Sequence, residues 1–230
     1  MSEPLGQSPC IAGLVLAAGR SRRMGVLKQT LPWPMMSSAL AKESTIVASA
    51  FDAIAPQCER MFVVVGRDAD AVIEALGGRV FTRIEADSEV EMFASVRAGL
   101  RVISESSESN QRFGAVLLQP GDHPGVTART IAALFDEHGK DPTRAIMPEH
   151  RGKGGHPALI PIDIARMIVA WELNSGGGGG LRQFWMDHAN LRTRIAVEDP
   201  WCTVDLDTPA DYESAHRAAL AACKRSSSDF

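Results

Sequence analysis

The chain has 230 residues, a formal charge of −4 and an ordinary composition, 45% hydrophobic and 23% charged. That length suits one large α/β domain, because domains cluster near about 100–150 residues and α/β folds often run longer. No apolar run reaches the ~20 residues that a bilayer span requires, and an acidic balance argues against a dedicated nucleic-acid binder, so neither a membrane nor a nucleic acid is expected as partner.

The polar first nine residues lack the charged start and apolar centre of a secretory signal and are expected to be disordered. Cys10, Cys58, Cys202 and Cys223 form no C-x-x-C pair and no His/Cys cluster at zinc-ligand spacing, which predicts four free thiols and a reducing, cytoplasmic home. Ile11–Ala18 is an apolar run of the kind buried on both faces of a sheet. A basic, glycine-containing turn follows it. Gly19 and Gly25 allow backbone N–H groups to approach an anion, Ser21 adds a hydroxyl, and Arg20, Arg22, Arg23 and Lys28 add positive charge, the makings of a phosphate cradle. The six-residue spacing of the glycines excludes both the dinucleotide fingerprint and the P-loop.

Beyond the rigid bend at Pro32, Trp33 and Pro34, a helix is predicted from Ser37 or Ser38 to about Ala55. Met61–Val65 reads as a second buried strand, with Asp68 placed to cap a helix through Leu76 that Gly77 and Gly78 end. A strand over Arg79–Ile84 precedes a helix on which Met92, Val96, Leu100 and Ile103 recur at helical spacing, the methionines read as core. After a polar loop from Ser104 to Arg112, a strand over Gly114–Leu118 runs into Gln119-Pro120-Gly121-Asp122-His123-Pro124, followed by a helix over Thr127–His138 and a strand over Arg144–Met147. This alternation predicts an α/β fold with one doubly wound, mostly parallel sheet, helices on both faces, and ligands beyond the carboxyl ends of the strands. Glu149–Gly155 suits a small β-hairpin excursion. The five-glycine run Gly176–Gly180 suits a slack loop or a lid, and a strand over Leu191–Val197 and a helix over Pro209–Cys223 complete a domain spanning 10–223, with 224–230 as a flexible tail.

Three strings carry chemistry. The first is Leu16–Lys28. The second is Asp122, whose carboxylate should project from a strand end into the same crevice, either to hold a hard cation or to cap the next helix. The third is Val204–Tyr212 (VDLDTPADY), where Pro209 and Asp211 suit a helix start and leave Asp205 and Asp207, two carboxylates at i, i+2, for a metal or for solvent.

Leu16–Lys28 resembles the signature L-A-A-G-x-S-x-R-M-G-x-x-K of nucleotidyltransferases related to molybdenum cofactor cytidylyltransferase and guanylyltransferase, the MobA-like NTP transferases. Pro120–Pro124 and Val204–Tyr212 resemble that family's aspartate loop and closing motif, and the likeness spans Ile11 to about Tyr212. It implies a Rossmann-like fold of the nucleotide-diphospho-sugar transferase type, and transfer of CMP from CTP to the phosphate of a molybdopterin-type cofactor with release of pyrophosphate. Arg23 and Lys28 would hold phosphates. Asp122, with Asp205 or Asp207 or both, would hold Mg²⁺. Leu16, Ala17, Ala18, Gly19, Ser21, Arg23, Gly25, Lys28, Ser95 and Asp122 would form the nucleotide site. Ser95 belongs with Arg97 to Met92–Leu100, a segment similar to the family's base and ribose region except that Glu91 stands where the family has glycine. Gly155 and His156, in G-H-P, and Gly180 and Arg182, in G-G-L-R, would lie near the acceptor, although a single His beside a glycine turn also serves as a structural donor. Ala17-Ala18-Gly19 resembles the cytidylyl branch, and a molybdoenzyme would be the natural partner. Transfer to a sugar or methylerythritol phosphate, and non-catalytic carriage of a pterin cofactor, are the alternatives. A nicotinamide oxidoreductase is disfavoured, because no G-x-G-x-x-G follows a strand.

Overall fold

A computed structural model describes residues 10–34, 43–86, 92–106, 113–171 and 180–226. Its elements in chain order begin with β1 (Cys10–Leu16), β2 (Pro32–Pro34), β3 (Glu43–Thr45), α1 (Ile46–Ile54), β4 (Arg60–Val65), α2 (Ala69–Leu76), β5 (Thr82–Glu85) and α3 (Met92–Ser106). They continue with β6 (Phe113–Pro120), α4 (Ala128–Lys140), β7 (Ala145–His150), β8 (Lys153–Gly154), β9 (Ala158–Pro161), α5 (Ile162–Ala170), α6 (Gly180–Asp187), β10 (Arg192–Ala196) and α7 (Pro209–Ser226).

Among the described residues the main sheet runs in the order β10-β7-β9-β6-β1-β4-β5, with β8 paired to β7. Pairing is parallel at β6-β1-β4-β5 and at β10-β7, and antiparallel where β9 lies between β6 and β7. The expected mostly parallel α/β sheet is present. Because successive side chains of a strand point to opposite faces, Ala12 and Leu14 of β1 pack with Leu100, Ile103 and Ile164, while Ile11 and Val15 pack with Phe51, Ile131 and Leu134. Two apolar layers therefore sandwich the sheet, each fully buried Leu, Val or Phe contributing about 1.5–3 kcal/mol. The chain leaves β1 towards β4 and β5 on one side and returns to β6 on the other. The crevice beyond the ends of β1 and β6 is the topological switch point, where ligands of such sheets bind.

Several boundaries differ from expectation, each for a local reason. The helix anticipated from residue 37 starts at Ile46, because 43–45 pair with β2 and Thr45 caps α1, its hydroxyl accepting from the Ala48 amide at 3.2 Å; residues 35–42 lie outside the described ones. β5 begins at Thr82 rather than Arg79, with Val80 89% exposed. Met92, expected in the core, is 79% exposed at the first residue of α3, which runs on to Ser106. Asp68 stands at the cap position of α2 without a capping hydrogen bond from its side chain. The hairpin at 149–155 is present as β7 and β8. Of the five-glycine run only Gly180 is described, and the N-terminal nine residues also lie outside. None of the four cysteines forms a disulfide among the described residues. No helix among the described residues is long and apolar enough to cross a membrane.

Candidate active site

The loop after β1 is closed from within. Its backbone turns at Ser21 and Gly25 with φ of 49° and 71°, the left-handed region that costs a non-glycine residue about 1–3 kcal/mol. Buried Gln29 holds the turn: its Nε2 donates to the Gly19 carbonyl at 2.9 Å, and its Oε1 accepts from the Ser21 hydroxyl at 3.0 Å. The Ser21 hydroxyl in turn accepts from the Lys28 amide at 3.0 Å. The hydroxyl expected to face an anion is thus engaged in shaping the loop. The turn-holding role of Gln29 is not visible in the sequence, since nothing in its local pattern points back across ten residues of chain.

Asp122 arrives from the neighbouring strand. At the end of β6 the Gly121 amide donates to the Leu16 carbonyl at 2.8 Å, and a Cβ at this glycine would stand 2.9 Å from the same carbonyl oxygen, so only glycine lets the two strand ends approach this closely. The third contribution precedes α7. Thr208 and Asp211 cap that helix reciprocally, the Thr208 amide and hydroxyl donating to Asp211 Oδ2 at 2.9 and 2.7 Å and the Asp211 amide donating to the Thr208 hydroxyl at 3.2 Å. The Tyr212 hydroxyl donates to the Pro32 carbonyl at 2.9 Å, and Trp201 packs edge-on against Trp33 with ring centroids 5.8 Å apart. These contacts anchor the closing motif to the strand that follows the cradle.

The result is a convergence of charge. Lys28 Nζ lies 2.6 Å from Asp122 Oδ2 and 3.2 Å from Asp207 Oδ1, and an Arg23 guanidinium nitrogen lies 2.8 Å from Asp207 Oδ2. Lys28, although it follows a loop, is only 8% exposed. Burial pulls its pKa down, yet the two carboxylates outweigh burial and hold it above the ordinary lysine value. Burial likewise pushes Asp122 up, and the neighbouring His123 and Lys28 outweigh that and hold it below the usual carboxylate range. Asp205 goes elsewhere. Its Oδ1 is 3.2 Å from His123 Nε2 and its Oδ2 3.0 Å from Lys153 Nζ, and these hydrogen bonds, His123 foremost, keep it ionised well below the usual range.

Around this cluster opens a cleft of about 470 Å³ whose walls include Leu16, Ala18, Gly19, Ser21, Arg23, Lys28, Ser95, Asp122 and Asp207, together with Arg20 of the cradle and with Gln29, Met92 and Pro120. Of the expected nucleotide residues, Ala17 and Gly25 are not among the walls; Ala17 faces the core, its amide donating to the Val64 carbonyl at 2.8 Å. Arg97 is also engaged elsewhere, donating to the Val169 carbonyl at 2.9 and 3.2 Å. Gly155, His156, Gly180 and Arg182 lie outside the walls as well. The His156 ring packs against His123 with centroids 5.0 Å apart and its amide donates to the Cys202 carbonyl at 2.8 Å. Burial first, and the neighbouring His123 next, push its pKa down to about 3.

Among the described residues no three His, Cys, Asp or Glu side chains converge as a ready-made metal cage. The fit for a hard cation is of another kind. Asp122 and Asp207 already meet on one positive charge, and Mg²⁺ characteristically takes one or two protein carboxylates and completes its shell with substrate phosphates and water.

Residues 13–191 match the MobA-like NTP transferase domain family. The chain is 23% identical over 206 residues to the molybdenum cofactor cytidylyltransferase of Escherichia coli (strain K12), covering 88% of this chain and 93% of that protein. In fold it is similar to a nucleotidyl transferase from Methanothermobacter thermautotroptrophicus, with a TM-score of 0.73 at 22% identity over 92% of this chain and 98% of that one. It is also similar to a Mycobacterium tuberculosis H37Rv protein solved in complex with manganese, with a TM-score of 0.68 at 21% identity over 91% of this chain and 99% of that one.

Proposed function

The chain belongs to the MobA-like NTP transferase domain family, and from that premise we propose that it transfers CMP from CTP to the phosphate of a molybdopterin-type cofactor, with release of pyrophosphate. The observation that carries the proposal is the meeting of Lys28, Asp122 and Asp207 in one cleft at the switch point of the sheet, each supplied by a different loop.

In this reading the acceptor phosphate attacks the α-phosphorus of CTP, the bond from that phosphorus to the bridging oxygen breaks, and pyrophosphate leaves with the electron pair. Little proton chemistry falls to the protein, so positioning and charge stabilisation do the work. Lys28 and Arg23 bind the triphosphate and stabilise the charge that builds on the departing pyrophosphate. The loop shaped by Gln29 and Ser21 presents its backbone to the same phosphates. Asp122 and Asp207 would hold a divalent cation, Mg²⁺ in the cell, which when bound neutralises phosphate oxygens. Ser95 and Ala18, in the cleft wall, face the nucleoside, and the Ala18 methyl group narrows the space a glycine would leave beside the base, favouring cytosine over guanine. Gly155, His156, Gly180 and Arg182 are assigned to the acceptor side, His156 acting through the His123 ring it supports. Cytoplasmic location and delivery of the product to a molybdoenzyme complete the proposal.

A competition experiment tests the nucleotide assignment. CTP with Mg²⁺ is expected to displace a labelled triphosphate at lower concentration than GTP does. Preference for GTP would reverse the branch assignment, and binding of neither would remove the proposal.

A further inference from the structure

The string Pro120–Pro124 contains a histidine whose polar ring atoms the reaction above does not use. His123 is 5% exposed, and its ring is aimed by its own turn: its amide donates to the Pro120 carbonyl at 3.2 Å, and its carbonyl accepts from Gln119 Nε2 at 2.6 Å. The His156 ring packs edge-on against it at an interplanar angle of 77°. His123 Nε2 faces two carboxylates at once, Asp205 Oδ1 at 3.2 Å and Asp122 Oδ1 at 3.9 Å, while Nδ1 is buried without a hydrogen-bond partner among the described residues. A carboxylate only accepts, so Nε2 carries the proton. Lys153, which occupies the other oxygen of Asp205, is itself tied to the Thr203 carbonyl at 2.8 Å.

Both oxygens of Asp205 are therefore satisfied by His123 and Lys153, whereas both oxygens of Asp207, two residues on, face Lys28 and Arg23. Asp122 stands between the two groups, Oδ2 on Lys28 and Oδ1 towards His123. We infer that His123 is the positioning residue of this site: donating Nε2–H to Asp205, it reserves that carboxylate for Lys153 and leaves Asp122 and Asp207 as the pair that receives a divalent cation. Without that donor, the two carboxylates that share the Nε2 face of His123 would lose the positive dipole between them, and neighbouring like charges disfavour one another. The inference rests on the reading of the cleft as a metal-assisted nucleotidyl-transfer site, and it assigns the two acidic residues of the closing motif to separate tasks.

The test is an electron paramagnetic resonance titration of Mn²⁺ against the full chain with CTP present. In His123→Leu the affinity for Mn²⁺ is expected to fall about 10- to 100-fold, the range that loss of an outer-shell partner produces. His123→Gln, which can place an N–H near the position of Nε2, should recover it, and Asp205→Asn added to His123→Leu should also recover affinity, because the charge that needed holding is gone. Should His123→Leu fail to fold by circular dichroism, His123→Asn, whose shorter amide does not reach Asp205, takes its place with the same expectation. Wild-type affinity in the Leu variant, or a double variant that loses as much as the two single changes summed, would overturn the role of His123. A wild-type chain that takes up no Mn²⁺ with either CTP or GTP would instead overturn the reading of the cleft.

Discussion

Lys28 Nζ and Asp122 Oδ2 stand 2.6 Å apart, joining the loop after β1 to the loop after β6. The contact is possible because Gly121 packs against the Leu16 carbonyl and because the Ser21–Gln29 hydrogen bonds turn the first loop back on itself. Lys28 and Arg23 together balance the two carboxylates proposed to hold the cation, Lys28 reaching both and Arg23 the second oxygen of Asp207. A metal–triphosphate complex would supply a cation for those carboxylates and anionic oxygens for the lysine, so that both would find new partners together.

Lys28→Ala is expected to weaken binding of CTP with Mg²⁺ by about 1.5–3 kcal/mol, the usual worth of a hydrogen bond to a charged group. Isothermal titration calorimetry reads this directly, with circular dichroism as the check on folding. Affinity equal to wild type would show that Lys28 does not touch the triphosphate.

Gly121→Ala places a methyl group against backbone rather than against a side chain that could swing away. Forced overpacking of this kind costs about 1–3 kcal/mol, and the shift it demands separates the ends of β1 and β6. The expected outcome is a lower melting temperature together with a lower turnover number; an unchanged melting temperature would mean that the loops adjust freely.

Much of this was readable in the residues. Buried strands announce themselves as short apolar runs, and Leu16–Lys28 and Pro120–Pro124 fall where such runs end, which is why the sheet and two walls of the cleft could be placed. The division between Asp205 and Asp207 was not readable. Alternation on an extended segment puts both on one side, but residues 204–207 are not in a strand, and the two carboxylates are separated by His123 and Lys153 on one hand and Lys28 and Arg23 on the other. Met92 illustrates the opposite failure: helical spacing marks it as core, yet it opens α3 largely exposed and lines the cleft.

His156 sets a pH dependence of stability. Its pKa in the folded chain is pushed down to about 3 from the ordinary 6.5, so between those values the unfolded chain binds the extra proton and stability rises with pH. The contribution is complete above about pH 6.5 and is lost as pH falls towards 3, with a slope of up to about 1.4 kcal/mol per pH unit for one proton. Urea unfolding from pH 7 to pH 4 should show that loss in the wild type and a shallower dependence in His156→Gln. Equal slopes would place the proton uptake elsewhere.

The central claim is that the cleft moves a nucleotidyl group with Asp122 as a metal-holding carboxylate. Its most direct test is transfer of label from the α-phosphate of CTP to a molybdopterin phosphate, measured for wild type and Asp122→Asn across a Mg²⁺ series. Asparagine keeps the shape and one acceptor oxygen but removes the charge a magnesium ion needs. The account predicts transfer in the wild type and a loss of several orders of magnitude in the variant, with the fold and most CTP binding retained. A near-normal rate in Asp122→Asn, still dependent on Mg²⁺, would contradict it.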